Sequence, residues 1–378
     1  TITITENESA PVITLATSTA SVAENSLAIG DLPNALFAII ATSSQVTNED
    51  ITVTLSTSGS ATDGTDYTVA SGSSNNGNGS LGGQTITISA GATTGTITGT
   101  PTDDSIYEDD EVATIAISDV SGGGATESGT QSVSITITEN ETAPTITLAT
   151  STASVAENSG TTITLTATAS QVADEDIIVT LSTSGIATNG TDYTSVNSTT
   201  ITILAGSTTE TKSFAPTDDS VYEGDEATSV SISSVSGGGA TESGTQSVSI
   251  TITEDESIPT ITMSASQTSA AENSGTEVTL TLTTSQIADE DIVVSLSASG
   301  TISSSDYVST SLSPSTITIS AGSTTGTVSA TPSDDSIYEG DESLTVSISS
   351  VSGADAVESG VQSITFTITE NESAPVIT

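Results

Sequence analysis

Residues 246–254 read Gln-Ser-Val-Ser-Ile-Thr-Ile-Thr-Glu, a stretch in which β-branched apolar residues alternate with serine and threonine. A period of two places the apolar side chains on one face of a β-strand, because successive residues point to opposite faces. The closing string, Thr-Ile-Thr-Glu, recurs along the chain and ends at Glu6, Glu139, Glu254 and Glu370. This recurrence indicates an array of similar units, each about 115 residues long except the first, which is longer.

Other motifs repeat in the same order within each unit. Val-Ala-Glu-Asn occupies residues 22–25 and 155–158, and its variant Ala-Ala-Glu-Asn occupies residues 270–273. An Asp-Tyr pair follows at residues 66–67, 192–193 and 306–307, and a Pro-(Thr/Ser)-Asp-Asp-Ser-(Ile/Val)-Tyr-Glu string begins at Pro101, Pro216 and Pro332. Two insertions, at residues 27–37 and 71–83, account for the greater length of the first unit, and the second reads as an exposed Gly/Ser/Asn-rich loop.

These repeats predict the domain boundaries. We expect the last strand of a preceding repeat at residues 1–9, domains at 10–141, 142–256 and 257–372, and the first strand of a next repeat at 373–378. Because both ends of the chain carry nearly the same sequence, we interpret it as an excerpt from a longer array. The alternative is a free subunit whose N-terminal strand completes a neighbouring copy, as in donor-strand assembly.

Alternating stretches within one unit predict the fold. In the second unit they lie at residues 145–150, 161–169, 177–183, 199–204, 210–215, 227–233 and 246–253, each bounded by Gly, Ser, Asn or Pro. No segment has a convincing helical period. The prediction is an all-β chain of tandem immunoglobulin-like Greek-key β-sandwiches, with about seven strands in each.

Composition limits the classes of partner. Apolar residues make up 33% of the chain and aromatic residues 2%, which suits thin sandwiches whose strands bury one face each. The regular β-branched alternation argues against the alternative that so polar a chain is disordered. The chain has 48 acidic residues and one basic residue, Lys212, so its net charge of −47 excludes nucleic acid and anionic membrane surfaces as partners. No apolar run is long enough to insert into a membrane as a helix.

The acidic residues concentrate at loop positions of each unit. In the second unit they are Glu157, the pair Asp218 and Asp219, the pair Glu223 and Glu226, and the run Glu254, Asp255 and Glu256. Those positions can meet at one end of a Greek-key sandwich, where several carboxylates would repel one another without a divalent cation between them. Calcium accepts six to eight oxygen ligands in flexible geometry, so it is the expected ion, with magnesium second.

These motifs closely resemble the Calx-beta domain family, which is found in sodium/calcium exchangers and in large bacterial surface proteins. The resemblance spans all three units and rests on Val-Ala-Glu-Asn, Asp-Tyr, Asp-Asp-x-x-Tyr-Glu-x-x-Glu and the closing Ile-Thr-Glu run. It implies an immunoglobulin-like sandwich with calcium clustered at one tip. Carried over by resemblance, the ligands of the first domain are Glu24, Asp103, Asp104, Glu108, Glu111, Glu139 and Glu141, and those of the third are Glu272, Asp334, Asp335, Glu339, Glu342, Glu370 and Glu372.

Two departures from the family pattern predict fewer ions or weaker binding. Family members often carry Asp-Gly-Thr-Ala before Asp-Tyr, but the stretches at residues 58–61, 184–187 and 299–302 begin with serine. Asn140 and Asn371 stand in the middle of two closing acidic runs. We expect Asp66, Asp192 and Asp306 to cap turns instead of binding metal, and Tyr193 and Tyr222 to pack in the core or at a corner.

The predicted function is structural. We expect a calcium-binding stalk or filament segment of a secreted adhesin or extracellular matrix fibre, with calcium stiffening the junctions between neighbouring repeats. The alternatives are a calcium-sensing regulatory module and the donor-strand filament subunit described above. An enzyme is not expected, because histidine and cysteine are absent and the same acids recur in all three domains. A specific surface ligand, if there is one, is expected at the two insertions of the first domain.

Overall fold

A computed structural model describes residues 8–26, 37–70, 83–194, 199–308 and 316–377, which form β-strands joined by loops and two short 3₁₀ turns. The all-β prediction is confirmed, and the strands group into three successive sandwiches. The first sandwich contains β1 (Val12–Thr17), β2 (Ser21–Ala23), β3 (Phe37–Ser43), β4 (Ile51–Gly59), β5 (Tyr67–Ala70), β6 (Thr85–Ile88), β7 (Thr94–Pro101), β8 (Glu111–Ser121), β9 (Thr126–Glu127) and β10 (Ser132–Thr138).

The second and third sandwiches repeat this order. The second contains β11 (Thr145–Thr150), β12 (Ser154–Ala156), a 3₁₀ turn (Glu157–Ser159), β13 (Ile163–Ala169), β14 (Ile177–Gly185), β15 (Thr200–Ile203), β16 (Thr209–Phe214), β17 (Val221–Tyr222), β18 (Glu226–Ser236), β19 (Thr241–Glu242) and β20 (Ser247–Thr253). The third contains β21 (Thr260–Ala265), β22 (Ser269–Ala271), a 3₁₀ turn (Glu272–Ser274), β23 (Val278–Thr284), β24 (Ile287–Ala288), β25 (Ile292–Gly300), β26 (Tyr307–Val308), β27 (Thr316–Ile319), β28 (Thr325–Pro332), β29 (Glu342–Ser352), β30 (Val357–Glu358) and β31 (Ser363–Thr369).

Each sandwich consists of two sheets. In the second, one sheet has the order β16-β13-β11-β19 and the other β12-β20-β18-β14-β15. The first segment of the unit is divided between them: β11 pairs antiparallel with β13, whereas β12 pairs parallel with β20 in the opposite sheet. The chain then crosses repeatedly between the sheets, which is the Greek-key arrangement of an immunoglobulin-like sandwich. The predicted fold class is therefore confirmed.

The period-two pattern explains the cores. Along β13 the residues alternate strictly between buried and half-buried, and Ile163, Leu165 and Ala167 are fully buried. Each sandwich has its own apolar cluster, and Tyr193 lies in that of the second, packed against Phe214 with a ring-centroid distance of 5.3 Å. The core position predicted for Tyr193 is confirmed. Tyr222 differs, because it lies in the apolar cluster of the third sandwich, not its own.

The seven long stretches predicted in the second unit all correspond to strands, with ends that differ by a few residues. The structure adds the short strands β12, β17 and β19, of which β17 pairs parallel with β24 of the next sandwich. The only basic residue, Lys212, lies in β16 opposite Leu165 of β13.

Several segments predicted from the sequence lie partly or wholly outside the described residues, or differ from the prediction. Residues 1–7 of the strand predicted at the N-terminus, residues 27–36 and 71–82 of the two insertions, and Thr378 lie outside the described residues, and residues 8 and 9 belong to no strand. Residues 373–377 are described and belong to no strand. The part of the chain that the structure describes contains no helix with the length and hydropathy of a membrane span.

Candidate metal centres

The Glu-Asn motif is held by a short strand and a tight turn. In the second sandwich, β12 places Val155 in the core, and the 3₁₀ turn Glu157–Ser159 follows directly. The turn ends at Gly160, whose φ of 60° lies in the left-handed region that glycine adopts without strain. Glu157 is thereby folded back against the sandwich, where its side chain is buried. The third sandwich repeats the turn at Glu272–Ser274.

Glu157 meets two acids that follow the last strand. Carboxylate oxygens of Glu157, Glu254 and Glu256 all lie within 4.8 Å of one another, and we call this group the closing cluster. The other sandwiches have the same group, formed by Glu24, Glu139 and Glu141 in the first and by Glu272, Glu370 and Glu372 in the third.

Backbone N–H groups converge on the central acid of the closing cluster. Oε2 of Glu254 accepts hydrogen bonds from the N–H groups of Glu223 at 2.5 Å and Gly224 at 2.8 Å, and Oε1 accepts from Glu256 N–H at 2.9 Å. Burial alone would raise the pKa of Glu254, but these bonds and its bond to the Glu256 side chain hold that pKa below its ordinary value. The backbone contacts therefore favour the ionised form of Glu254.

The pKa of the neighbouring acid, Glu256, is shifted in the opposite direction. The hydrogen bond to Glu254, followed by burial, raises the pKa of Glu256 to about 7. Burial, followed by the charge of Glu254 and other carboxylates, raises the pKa of Glu157 to about 7 as well. In the absence of a cation, a proton on Glu256 that is hydrogen-bonded to Glu254 would relieve the repulsion in this cluster.

A second group lies beside the first. Oxygen atoms of Asp192, Glu223 and Glu226 lie within 4.8 Å of one another, and we call this group the loop cluster. Burial, then a hydrogen bond to Asp192, raises the pKa of Glu226 to about 8. Its counterpart in the first sandwich consists of Asp66, Glu108 and Glu111. In the third sandwich Glu342 is hydrogen-bonded to Asp306, whereas Glu339 is exposed.

The predicted turn-capping role of the Asp-Tyr aspartate accounts for only part of what this residue does. Asp192 does accept a hydrogen bond from Thr188 N–H, as a turn cap would, and Asp306 does so from Ser303 N–H at 2.5 Å. Asp192 and Asp66 are also members of loop clusters. The recurrence of Asp-Tyr in every unit was the signal that could have placed the aspartate with the other acids.

The second aspartate of each Asp-Asp pair makes hydrogen bonds through its backbone N–H and to a nearby backbone N–H, and is not a member of either cluster as defined above. Asp219 N–H donates to Glu157 Oε1 at 3.2 Å, and Asp219 Oδ1 accepts from Val221 N–H at 2.7 Å. Asp104 and Asp335 make the same two bonds. Asp103 and Asp334 lie near enough to raise the pKa of Glu141 and Glu372 respectively, and Asp218 is exposed.

The middle residue of the closing run links the run to the Glu-Asn motif. Asp255 accepts a hydrogen bond from the Asn158 side chain at 2.7 Å, and Asn140 accepts one from Asn25 N–H at 3.1 Å. Asn140 and Asn371 also donate to Glu141 and Glu372, each at 2.9 Å. An asparagine at this position therefore keeps the cluster in place while removing one negative charge.

Comparison with known protein families identifies the repeated unit. The family model of the Calx-beta domain matches residues 6–141, 139–256 and 254–372. The chain belongs to the Calx-beta family. Among curated proteins, none matches the chain.

Several solved structures resemble the Calx-beta array. The crystal structure of CBD12 from CALX1.2 has 15% sequence identity and a TM-score of 0.27, and the match covers 59% of this chain and 99% of that one. Invasin, described as a bacterial integrin-binding protein, has 13% identity and a TM-score of 0.26, covering 95% of this chain and 60% of that one. The Yersinia pseudotuberculosis adhesin InvE has 14% identity and a TM-score of 0.23, covering 60% and 58%.

The chemistry of the closing clusters, and of the loop clusters in the first two Calx-beta domains, fits a hard divalent cation. All of the ligand atoms are oxygens, and the chain has no histidine or cysteine that would favour zinc. Several buried carboxylate oxygens accept no hydrogen bond from an N–H or hydroxyl group of the described residues, which is costly unless a proton or a cation binds them. They are Oε2 of Glu111, Glu141, Glu226, Glu256 and Glu372.

The following Calx-beta domain adds an acid that sequence analysis missed. Asp174 N–H donates to the carbonyl of Tyr107 at 3.2 Å across the first junction, so Asp174 lies next to the loop cluster of the preceding sandwich. Its charge is among the causes that raise the pKa of Glu108 and of Glu111. Asp289 makes the same bond to Tyr222 at the second junction, and its charge contributes to the raised pKa of Glu226.

Proposed function

We propose that this chain is a calcium-binding structural array that acts as a stalk or filament segment of a secreted adhesin or extracellular matrix fibre. Calcium would bind at the closing and loop clusters and stiffen the junctions between sandwiches. The location of the loop cluster carries this proposal: it is formed by one sandwich and faces Asp174 or Asp289 of the next. A cation there would attract acids from both sides of a junction, which otherwise repel each other.

A catalytic role receives less support from the residues than a structural one. The same constellation of acids repeats in three successive sandwiches, and a catalytic site has no need of such repetition. The chain also has no histidine or cysteine, two residues that enzymes often use as general base or nucleophile at neutral pH. We therefore propose a role in binding and mechanics, not catalysis.

Calcium binding is tested by removing the most buried acid of each closing cluster. A variant with Glu24→Gln, Glu157→Gln and Glu272→Gln keeps the side-chain shape and the oxygen that accepts the aspartate N–H bond. We expect calorimetric titration to show weaker calcium binding and a smaller calcium-induced rise in Tm. The control is Glu49→Gln, Glu210→Gln and Glu277→Gln, which makes the same change in charge at exposed positions of the three sandwiches. Equal calcium responses in the two variants would contradict binding at these clusters.

Stiffening is tested separately by small-angle X-ray scattering of the full chain. With calcium we expect a longer maximum dimension and a narrower distribution of interdomain distances than with a chelator. The buried triple variant should stay close to its chelated profile when calcium is added, whereas the exposed triple control should respond as the natural chain does. A profile of the natural chain that does not change with calcium would rule out the mechanical role even if calcium binds.

A further inference from the structure

The two junctions between sandwiches are built from the same loop. We call residues 103–108 and 218–223, which read Asp-Asp-Ser-(Ile/Val)-Tyr-Glu, the tyrosine loops. In both junctions the backbone of the loop tyrosine, Tyr107 or Tyr222, is hydrogen-bonded to the next sandwich. These shared backbone contacts do not distinguish one junction from the other, but the tyrosine side chains do.

The hydroxyl of each loop tyrosine donates to one carboxylate, and the two carboxylates come from opposite sides of the junction. Tyr107 donates to Asp109 of its own sandwich at 3.2 Å. Tyr222 donates to Asp355 of the following sandwich at 3.1 Å. Gly224 takes the position of Asp109 after the second loop, so no aspartate is present there. The hydroxyl bond therefore stays within one sandwich at the first junction and crosses between two sandwiches at the second.

The turn that receives the tyrosine differs in the same sense, and we call it the receiving turn. In the second sandwich it consists of residues 237–239, which are all glycine. A Cβ built on Gly239 would lie 2.4 Å from Cε1 of the Tyr107 ring, so the first junction leaves no space for a side chain there. In the third sandwich the receiving turn is residues 353–355, which read Gly-Ala-Asp. The second junction thus has a carboxylate where the first needs glycine.

The aspartate is present in spite of an unfavourable backbone conformation. Ala354 has a φ of 51° and Asp355 a φ of 49°, and among the described residues no others except glycines have a positive φ. Such conformations persist where the surrounding structure holds them, often at functional positions. Glu290 holds this turn, because its Oε2 accepts a hydrogen bond from Ala354 N–H at 3.2 Å. The strained turn places the carboxylate of Asp355 at the hydroxyl of Tyr222.

The crossing bond accompanies deeper burial of the tyrosine. Tyr222 is 6% exposed and belongs to the apolar cluster of the third sandwich, whereas Tyr107 is half-buried and is not part of the cluster of the second. The first junction has a side-chain bond of its own, from Gln171 to the carbonyl of Ser105 at 3.2 Å, but that bond is exposed and water competes for both groups. A hydrogen bond that is shielded from water holds its partners more firmly.

We propose that the bond between Tyr222 and Asp355 latches the second junction, so that bending of this chain is concentrated at the first junction. Asp355 acts as a positioning residue, since it fixes the tyrosine loop of one sandwich against the receiving turn of the next. The latch lies outside the closing and loop clusters as defined above and needs no calcium. It can therefore fail or succeed independently of the proposed function.

The test measures the distances between sandwiches across each junction by double electron–electron resonance of paired spin labels. The chain has no cysteine, so Ser56→Cys, Ser182→Cys and Ser297→Cys place labels at equivalent exposed positions of β4, β14 and β25. The first two labels span the first junction, and the last two span the second. With a chelator present, we expect a narrower distance distribution across the second junction. Equal widths would overturn the proposal.

Two substitutions remove the latch in different ways. Tyr222→Phe keeps the ring and removes the hydroxyl, and Asp355→Gly restores the glycine of the other receiving turn. Each should broaden the distribution across the second junction to the width found across the first. The double variant should broaden it no further than either single variant, because both changes remove the same bond.

Two further variants are the controls. Asp355→Asn should keep the natural width, since an asparagine oxygen can accept the same hydrogen bond and asparagine tolerates a positive φ. Glu277→Gln, which removes the charge of an exposed acid in the third sandwich, should also keep it. The proposal is overturned if both single latch variants keep the natural width, or if Glu277→Gln broadens it as much as they do.

Discussion

Two kinds of glutamate share each closing cluster, and the difference comes from their backbone contacts. Glu254 accepts hydrogen bonds from the N–H groups of Glu223, Gly224 and Glu256, which lower its pKa, whereas the hydrogen bond to Glu254 raises the pKa of Glu256 to about 7 and favours a proton there. The proton neutralises the repulsion that a divalent cation would otherwise neutralise. A cation that enters must displace it, because a carboxylate binds metal in its deprotonated form.

Calcium binding is therefore expected to strengthen as the pH rises from 6 to 8. The pKa of Glu256 is raised to about 7 and that of Glu226 to about 8, so at pH 6 both acids hold protons that calcium must remove. At pH 8 Glu256 has lost most of its proton and Glu226 about half. Titration calorimetry at several pH values measures the trend, and repeating it in buffers with different ionisation enthalpies measures the protons released. An affinity that does not vary with pH would show that these acids are not the ligands.

The same pKa values predict the opposite trend for stability when a chelator is present. A carboxyl whose pKa is higher in the folded state than its ordinary 4.5 favours folding in its protonated form. That contribution is complete below pH 4.5 and is lost as the pH rises through 7 to 8. We expect the Tm of the chelated chain to fall over this range, and added calcium to oppose the fall.

The sequence predicts that most of these acids meet at one end of each sandwich, but it does not predict that they form two separate clusters. Glu157, Glu254 and Glu256 were placed together because their motifs fall on loops at one end of the predicted sandwich. The sequence predicts a turn-capping role for Asp192, since an aspartate before a structured tyrosine has a local partner in its own backbone. Each carboxylate has two oxygens, and the carboxylate of Asp192 also contacts acids outside its own turn. Those contacts depend on how the loops pack against one another, which cannot be read from a single sequence.

The long strands were predictable because each has enough residues to display a period of two. β12 and β17 contain three and two residues, too few for a period to be recognised. β17 also pairs with β24, a strand of another sandwich. Hydrophobicity marks Tyr222 as a residue to be buried, but it does not say which sandwich buries it.

Truncation of the tyrosine at an internal junction should destabilise the sandwich that receives it. We expect Tyr222→Ala to lower the stability of the third sandwich by about 3 kcal/mol, the cost that is typical of removing a buried aromatic ring. Calorimetric unfolding of the full chain can show which transition moves. The matched control is Tyr338→Ala, whose ring is 45% exposed and which should cost less than about 0.5 kcal/mol in dilute solution. Equal effects would mean that the ring contributes little to the junction.

The whole molecule has a very uneven charge. Forty-eight acidic residues face a single lysine, so attraction between side chains of opposite charge contributes almost nothing to this fold. Stability must come from three small apolar cores and from the solution ions that screen the carboxylates.

Sodium chloride should therefore raise the Tm of the chelated chain steadily, since the screening length falls from about 10 Å at 0.1 M to about 3 Å at 1 M. Calcium chloride at the same ionic strength should raise it further if ions bind at the clusters. Differential scanning calorimetry of the two series at matched ionic strength measures the difference. Identical curves would indicate screening alone.

The position of Lys212 has a practical consequence. It lies in β16, at the edge of one sheet of the second sandwich and paired with β13 along its whole length. A trypsin-like protease has one bond to cut in the entire chain, and it can reach that bond only when this edge strand detaches. The rate of cleavage in native buffer is thus a gauge of local opening in the middle sandwich alone, with no label or engineered site.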